Sequence, residues 1–95
     1  MIVGTLRIKL SLRDCHSLKE KRRVIKSLKD RLSNTFNCAV AETDFLDVWQ
    51  SAELGVATVG NETPHVDSML SNVMNFVRGF PPVTVVDYET ETFGD

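Results

Sequence analysis

Asp14-Cys15-His16-Ser17 sets a carboxylate, a thiol, an imidazole and a hydroxyl in consecutive positions just ahead of a helix start. A helix N-terminus lowers a thiol pKa and attracts anions, the setting in which reactive cysteines are found. Sequence neighbours, however, have nothing local that turns Cys15 and His16 toward each other, and the segment reads as an ordinary loop. Cys15, His16, Cys38 and His65 show no metal-ligand spacing. No catalytic residue, metal or cofactor is therefore expected, and the chain reads as non-enzymatic.

The cations are more informative. Residues 1–31 hold ten of the eleven Lys and Arg residues and three acids, a net of +7. Residues 32–95 hold one cation, Arg78, and ten acids, a net of -9, so the overall -2 hides a segregation along the chain. Such asymmetry either points to a polyanion partner or is neutralised internally on folding. At about 100° per residue from Leu18, the positions Lys19, Arg22, Lys26 and Lys29 line up along one face of a helix, with Arg23 beside them. Lys19 with Arg23 and Arg22 with Lys26 are like-charge i,i+4 pairs, and Lys19 and Lys21 fall in the first turns, where the helix dipole favours anions. Both arrangements cost stability, whereas a merely solvated face would intersperse glutamates. The pattern suits a phosphate-tracking surface, with Arg13 ahead of the helix assisting. Lys21 falls inside the apolar stripe of the same helix. It is expected either to snorkel to the helix end or to aim its ammonium at a bound anion at the sheet end.

The elements that position these residues are read from periodicity. Ile2 to Leu12 alternates strictly, as a strand with one buried face does. Ser17-Leu18-Lys19-Glu20 is a capping box in which the Glu20 carboxylate is expected to return to the Ser17 N–H. The helix it starts extends to about Leu32 or Asn34 on a stripe of Leu18, Val24, Ile25, Leu28 and Leu32. Asn37 to Thr43 and Ala52 to Val59 are the next two strands. The connection 44–50 between them is unusually apolar, with Phe45, Leu46, Val48 and Trp49. It is expected either to plug the open end of the core or to present an aromatic anchor at an interface. Thr63 is read as the capping hydroxyl before Pro64, and Gly79 with Pro81-Pro82 as the stop of the second helix. Val83 to about Phe93 is the fourth strand.

The β-α-β-β-α-β order, with right-handed crossovers, predicts a ferredoxin-like α+β sandwich. Its four-stranded antiparallel sheet has the order 4-1-3-2, with both helices on one face, in one domain spanning residues 1–95. Leu6, Ile8, Leu10, Ile25, Leu28, Leu54, Val56, Leu70 and Val73 are the expected core. On the open face Asp87, Glu89 and Glu91 oppose Arg7 and Lys9, which removes the acids as a catalytic cluster. The remaining open-face residues, Val3, Thr5, Gly55 and Ala57, include no aromatic, which argues against base stacking on the sheet and suits contact with a protein surface. The second strand is an edge without lysine or proline, a candidate for homodimer pairing. There is no run of about 18 apolar residues and no basic leader, and two cysteines make no disulfide framework, so a cytoplasmic setting without a membrane span is expected.

The stretches Ser17-Leu18-Lys19-Glu20-Lys21-Arg22-Arg23-Val24-Ile25-Lys26-Ser27-Leu28-Lys29, Val40-Ala41-Glu42, Asp44-Phe45-Leu46-Asp47-Val48-Trp49-Gln50 and Leu54-Gly55-Val56-Ala57 resemble the bacterial YlxP-like family, a domain of unknown function, across nearly the whole chain. The resemblance implies a ferredoxin-like fold and a core position for Cys38. Its members are often encoded near transcription, translation-initiation and ribosome-maturation genes, which implies association with RNA or ribosomal subunits. It supplies no catalytic residue. The first expectation is thus a non-enzymatic RNA- or ribosome-associated module using Arg13, Lys19, Arg22, Arg23, Lys26 and Lys29. The second is a homo-oligomerising interaction domain using strand 37–43, with Val40, Phe45 and Trp49 as interface candidates. A small phosphate-handling enzyme comes third: acylphosphatases share the fold, but their glycine-rich anion loop with its arginine is missing here.

Overall fold

The computed structural model describes residues 1–95. The elements in chain order are β1 (Ile2–Ser11), α1 (Leu18–Thr35), β2 (Ala39–Asp44), β3 (Ser51–Gly60), α2 (Thr63–Arg78) and β4 (Thr84–Gly94). The sheet order is β2-β3-β1-β4 with every neighbouring pair antiparallel, as the alternation and right-handed crossovers require. The inward residues of β1, namely Ile2, Leu6, Ile8 and Leu10, are buried, as are Ala52, Leu54 and Val56 of β3. All nine expected core residues are buried. α1 seats Ile25, Leu28 and Leu32 against the sheet, and α2 seats Val66, Leu70, Val73, Met74 and Val77. An edge-to-face pair, Phe36 on Phe76 at 5.9 Å, joins the two helices.

Gly4 is where α2 comes closest to the central strand. A Cβ there would collide with a Val66 methyl and lie 3.1 Å from Leu70 Cδ1. The helix rests directly on backbone, so glycine is required by packing rather than by its conformational freedom.

Two strands carry a one-residue slip. Val83, just before β4, and Val85 within it turn inward, while Asp87, Glu89 and Glu91, of the same odd parity, oppose Lys9, Arg7 and Thr5 on the open face. Both patterns hold because the register shifts between Lys9 and Leu10, leaving Val86 as an extra, exposed residue. In β2 the shift falls between Glu42 and Asp44, with Thr43 the extra residue.

Three local expectations are corrected. The cap of α2 is Glu62, not Thr63; Thr63 begins the helix, Pro64 follows in its first turn, and no side chain caps it. The Ser17 hydroxyl does accept from the Glu20 N–H at 3.1 Å, but the Glu20 carboxylate reaches the His16 N–H at 3.1 Å instead of that of Ser17. The 44–50 connection does not plug the core: Leu46, Val48 and Trp49 are 55, 45 and 51% exposed. That end is closed instead by Leu12, Cys15, Phe80 and Val83, all buried.

Gly4→Val should destabilise the domain by about 1–3 kcal/mol through overpacking against Val66 and Leu70. The urea midpoint of the variant against wild type measures it; Val59→Thr, on the exposed side of the paired strand, should leave the midpoint nearly unchanged.

Candidate nucleic-acid interface

α1 forms because Leu18 to Leu32 is rich in good helix formers and the Ser17 cap satisfies one of its orphan donors. Its apolar side is fixed on the sheet, so the cations on the opposite side must face away. Arg22, Lys26, Lys19 and Arg23 are exposed and Lys29 is half-buried. Arg13, in the loop before the helix, is exposed as well.

Folding neutralises only part of the N-terminal charge. Arg7 meets Glu89 and lies 3.7 Å from Glu53; the Glu89 bond and the nearby acids raise its already high pKa. Arg22 is 3.9 Å from Asp47, and Lys26 is 2.7 Å from Asp30. These are exposed pairs of small energetic consequence. Lys9 sits over the Phe45 ring at 5.2 Å and Arg31 over Phe80 at 5.6 Å. Arg13, Lys19, Arg23 and Lys29 have no acidic partner within the chain.

Lys21 neither snorkels nor offers its ammonium to a bound anion; its anion is a side chain of the protein itself. It is fully buried, its ammonium 2.8 Å from Glu42 Oε2 and donating to the Phe45 carbonyl. The donated hydrogen bond is directed at that carbonyl. The contact with Oε2 is a close charge pair without hydrogen-bond alignment, so Oε2 has no aligned donor. A lysine loses its hydration here and is tolerated because it is paired. The sequence did carry the signal: Lys21 interrupts the apolar stripe, and Glu42 shares its parity with inward-facing Val40. An inward cation and an inward anion in a two-layer sandwich have only each other.

This pair organises the 44–50 loop. Phe45 adopts φ 60°, a left-handed conformation that costs a non-glycine residue about 1–2 kcal/mol. Three bonds hold it there: Asp44 Oδ1 accepts the Phe45 N–H at 2.8 Å, and the Phe45 carbonyl accepts from the Val48 N–H at 3.0 Å and from Lys21. At the other end of the loop the Gln50 amide donates to the carbonyls of Arg13 at 3.2 Å and Cys15 at 3.3 Å, and the Leu12 N–H donates to the Gln50 carbonyl at 3.0 Å. The loop therefore stands beside the 12–17 segment and the first turns of α1, with Asp47 touching Arg22. Of the interface candidates, Trp49 is exposed, Phe45 is half-buried under Lys9, and Val40 packs against the core.

Cys15 lies in a cleft of about 520 Å³ with Asp14, Glu20, Arg23, Val24, Pro81 and Pro82. Burial raises the Cys15 thiol pKa, with Glu20 and Asp14 adding to the rise and Lys21 opposing it. Burial likewise raises that of Cys38, whose side chain packs on the core. Burial and the neighbouring acids thus work against thiolate formation at Cys15. No group of three or more His, Cys, Asp or Glu side chains converges on a point that could hold a metal, and no helix is long and apolar enough to cross a membrane.

The architecture places the chain in the class of ferredoxin-like α+β sandwiches with a basic outer helix. Residues 3–90 match the family described as "Protein of unknown function (DUF503)", and the chain belongs to that family. It is similar to the "Uncharacterized protein YlxP" of Bacillus subtilis (strain 168), at 32% identity over 92 residues covering 97% of this chain and all of that one. Among solved structures it resembles the de novo designed protein Foldit4, with a TM-score of 0.52 and 12% identity over 100% of this chain and 99% of that one, a likeness of fold alone.

Two outcomes follow. Lys21→Met leaves Glu42 buried without its cation and should cost about 3–5 kcal/mol, while Lys21→Met with Glu42→Leu should recover most of the loss; urea denaturation of the double-mutant cycle reads both. Because a raised pKa leaves less thiolate at any given pH, Cys15 should be alkylated by iodoacetamide more slowly than a free cysteine at neutral pH, gaining rate as pH rises. Mass spectrometry of the native protein over a pH series measures this.

Proposed function

We propose that this domain is a non-enzymatic RNA-binding module, associated with RNA or ribosomal subunits, that holds phosphates along the outer face of α1. The observation that carries this reading is the row of exposed cations that folding leaves without acidic partners. Arg13, Lys19 and Arg23 are free, Lys29 is free and half-buried, and Arg22 and Lys26 have only exposed, weak pairs. Contacts of this kind position a nucleic acid without reading its sequence.

Pairing with a second copy through β2 is less favoured than the sequence of that strand suggests. Glu42 turns inward and Thr43 forms a bulge, and inward charges and bulges are both devices that blunt a sheet edge. The flat patch on the open face, lined by Thr5, Ala39, Ala41, Gly55 and Ala57, remains a surface for a protein contact.

If about four of the cations reach phosphates, log affinity for single-stranded RNA against log salt should have a slope of roughly -3, at about 0.7 per contact. Lys19→Gln with Arg23→Gln should flatten it by about 1.4 units. The same substitutions relieve an i,i+4 repulsion worth a few tenths of a kcal/mol, roughly, so the melting temperature should not fall. Wild-type protein that binds neither RNA nor ribosomal subunits at low salt overturns the proposal.

A further inference from the structure

We infer that Trp49 is a stacking platform for an unpaired base, so that the nucleic acid taken by the basic helix is single-stranded at the α1 N-terminus. The inference rests on the RNA-binding reading and specifies which form of RNA the site takes and how it is held. An exposed tryptophan on a free loop would be unremarkable, but this loop is not free. It is fixed at Phe45 by Lys21 and the Val48 N–H, and at Gln50 by the carbonyls of Arg13 and Cys15. A backbone held in a left-handed conformation at Phe45 and an indole 51% exposed are both unfavourable for an isolated domain. Neither closes the core, which Leu12, Cys15, Phe80 and Val83 already seal at this end. The loop is therefore held in order to present Trp49, with Leu46 and Val48 as its apolar flanks.

Charge complementarity selects the occupant. Asp47, two residues before Trp49, lies 3.9 Å from the Arg22 guanidinium, and Gln50, directly after it, is bonded to the Arg13 carbonyl. Arg22 thus lies beside the segment that carries the indole, and the backbone of Arg13 is bonded to it, with Lys19 three residues before Arg22 on the same helix face. Arg22 is held only by an exposed contact with Asp47, for which a phosphate can compete. An exposed aromatic on a loop that adjoins a row of cations is an arrangement that binds single-stranded nucleic acid, the bases stacking while the phosphates track the charge. A duplex, its bases already stacked internally, offers the indole no partner. The sheet offers no aromatic on its central strands that could do the same work: the outward residues of β1 and β3 are Val3, Thr5, Arg7, Lys9, Glu53, Gly55, Ala57 and Val59.

Trp49 is the one tryptophan in the chain, so its emission reports on this position alone. Fluorescence titration at low salt should use oligouridylate and inorganic polyphosphate, a polyanion without bases. Oligouridylate should quench the emission and polyphosphate should not, although both bind. Trp49→Ala should weaken oligouridylate binding roughly tenfold with the salt slope unchanged. Its affinity for polyphosphate should equal that of wild type, and Trp49→Phe should restore most of the loss. Oligouridylate that binds with unchanged emission, and equally well to Trp49→Ala, overturns the stacking role while leaving the phosphate-binding reading intact; the loop would then be a protein-docking surface. Failure of both polyanions to bind wild-type protein overturns both readings.

Discussion

The buried ammonium of Lys21 is the constraint on which this end of the molecule depends. It ties the first turn of α1 to the inner face of β2 through Glu42, and it fixes the start of the β2–β3 loop through the Phe45 carbonyl. A hydrophobic residue at position 21 could supply the packing but not the link to the loop. Burying an ion pair is costly and seldom adds net stability over a well-packed apolar pair. What the pair adds is a position: one donor reaches a carboxylate on a strand and a carbonyl in a loop, and so relates three segments. The outward cations of α1 and the aromatic loop keep a fixed relation because the inward cation of the same helix holds both.

The charge segregation along the chain follows from this layout. Arg7, Lys21 and Arg22 draw acids from the later segment, two of them across the sheet or the helix–sheet junction. Lys19, Arg23 and Lys29, which have no acidic partner, lie on α1 away from the sheet. The acids of β4 cannot serve them, since Asp87, Glu89 and Glu91 point to the opposite face of the sheet. The fold therefore separates an acidic open face from a basic helical face, although the net charge is only -2. A phosphate backbone approaching this domain meets one attractive side and one repulsive side, which orients it before any contact forms.

Most of the fold was legible because it is written in short-range periodicities. The alternation from Ile2 to Leu12, the Ser17 cap and the Gly79 stop each declare themselves within a few residues. The bulges were not, since a one-residue slip is a relation between two strands. Even so, the shared parity of Val83, Val85 and the outward acids of β4 already demanded one. Lys21 was misread for the same reason: its partner lies 21 residues away on a strand whose facing depends on register. The cationic row of α1 was read from helical spacing alone. The exposure of Trp49 was not, because an apolar loop at the end of a sandwich looks the same in sequence whether it seals the core or stands outside it.

The central place of β1 has a consequence for how the domain is made. Its two hydrogen-bonding edges are filled by β3 and by β4, the first strand in the chain pairing with the last. Every sheet contact of β1 is thus distant in sequence, the condition under which loop closure slows folding. In synthesis β1 and the charged α1 precede the rest of this domain, and one side of the strand stays open until residues 84–94 are made. The cooperative core can form only once the last strand has emerged. During that interval the +7 segment is at its most exposed, close to the largest polyanion in the cell.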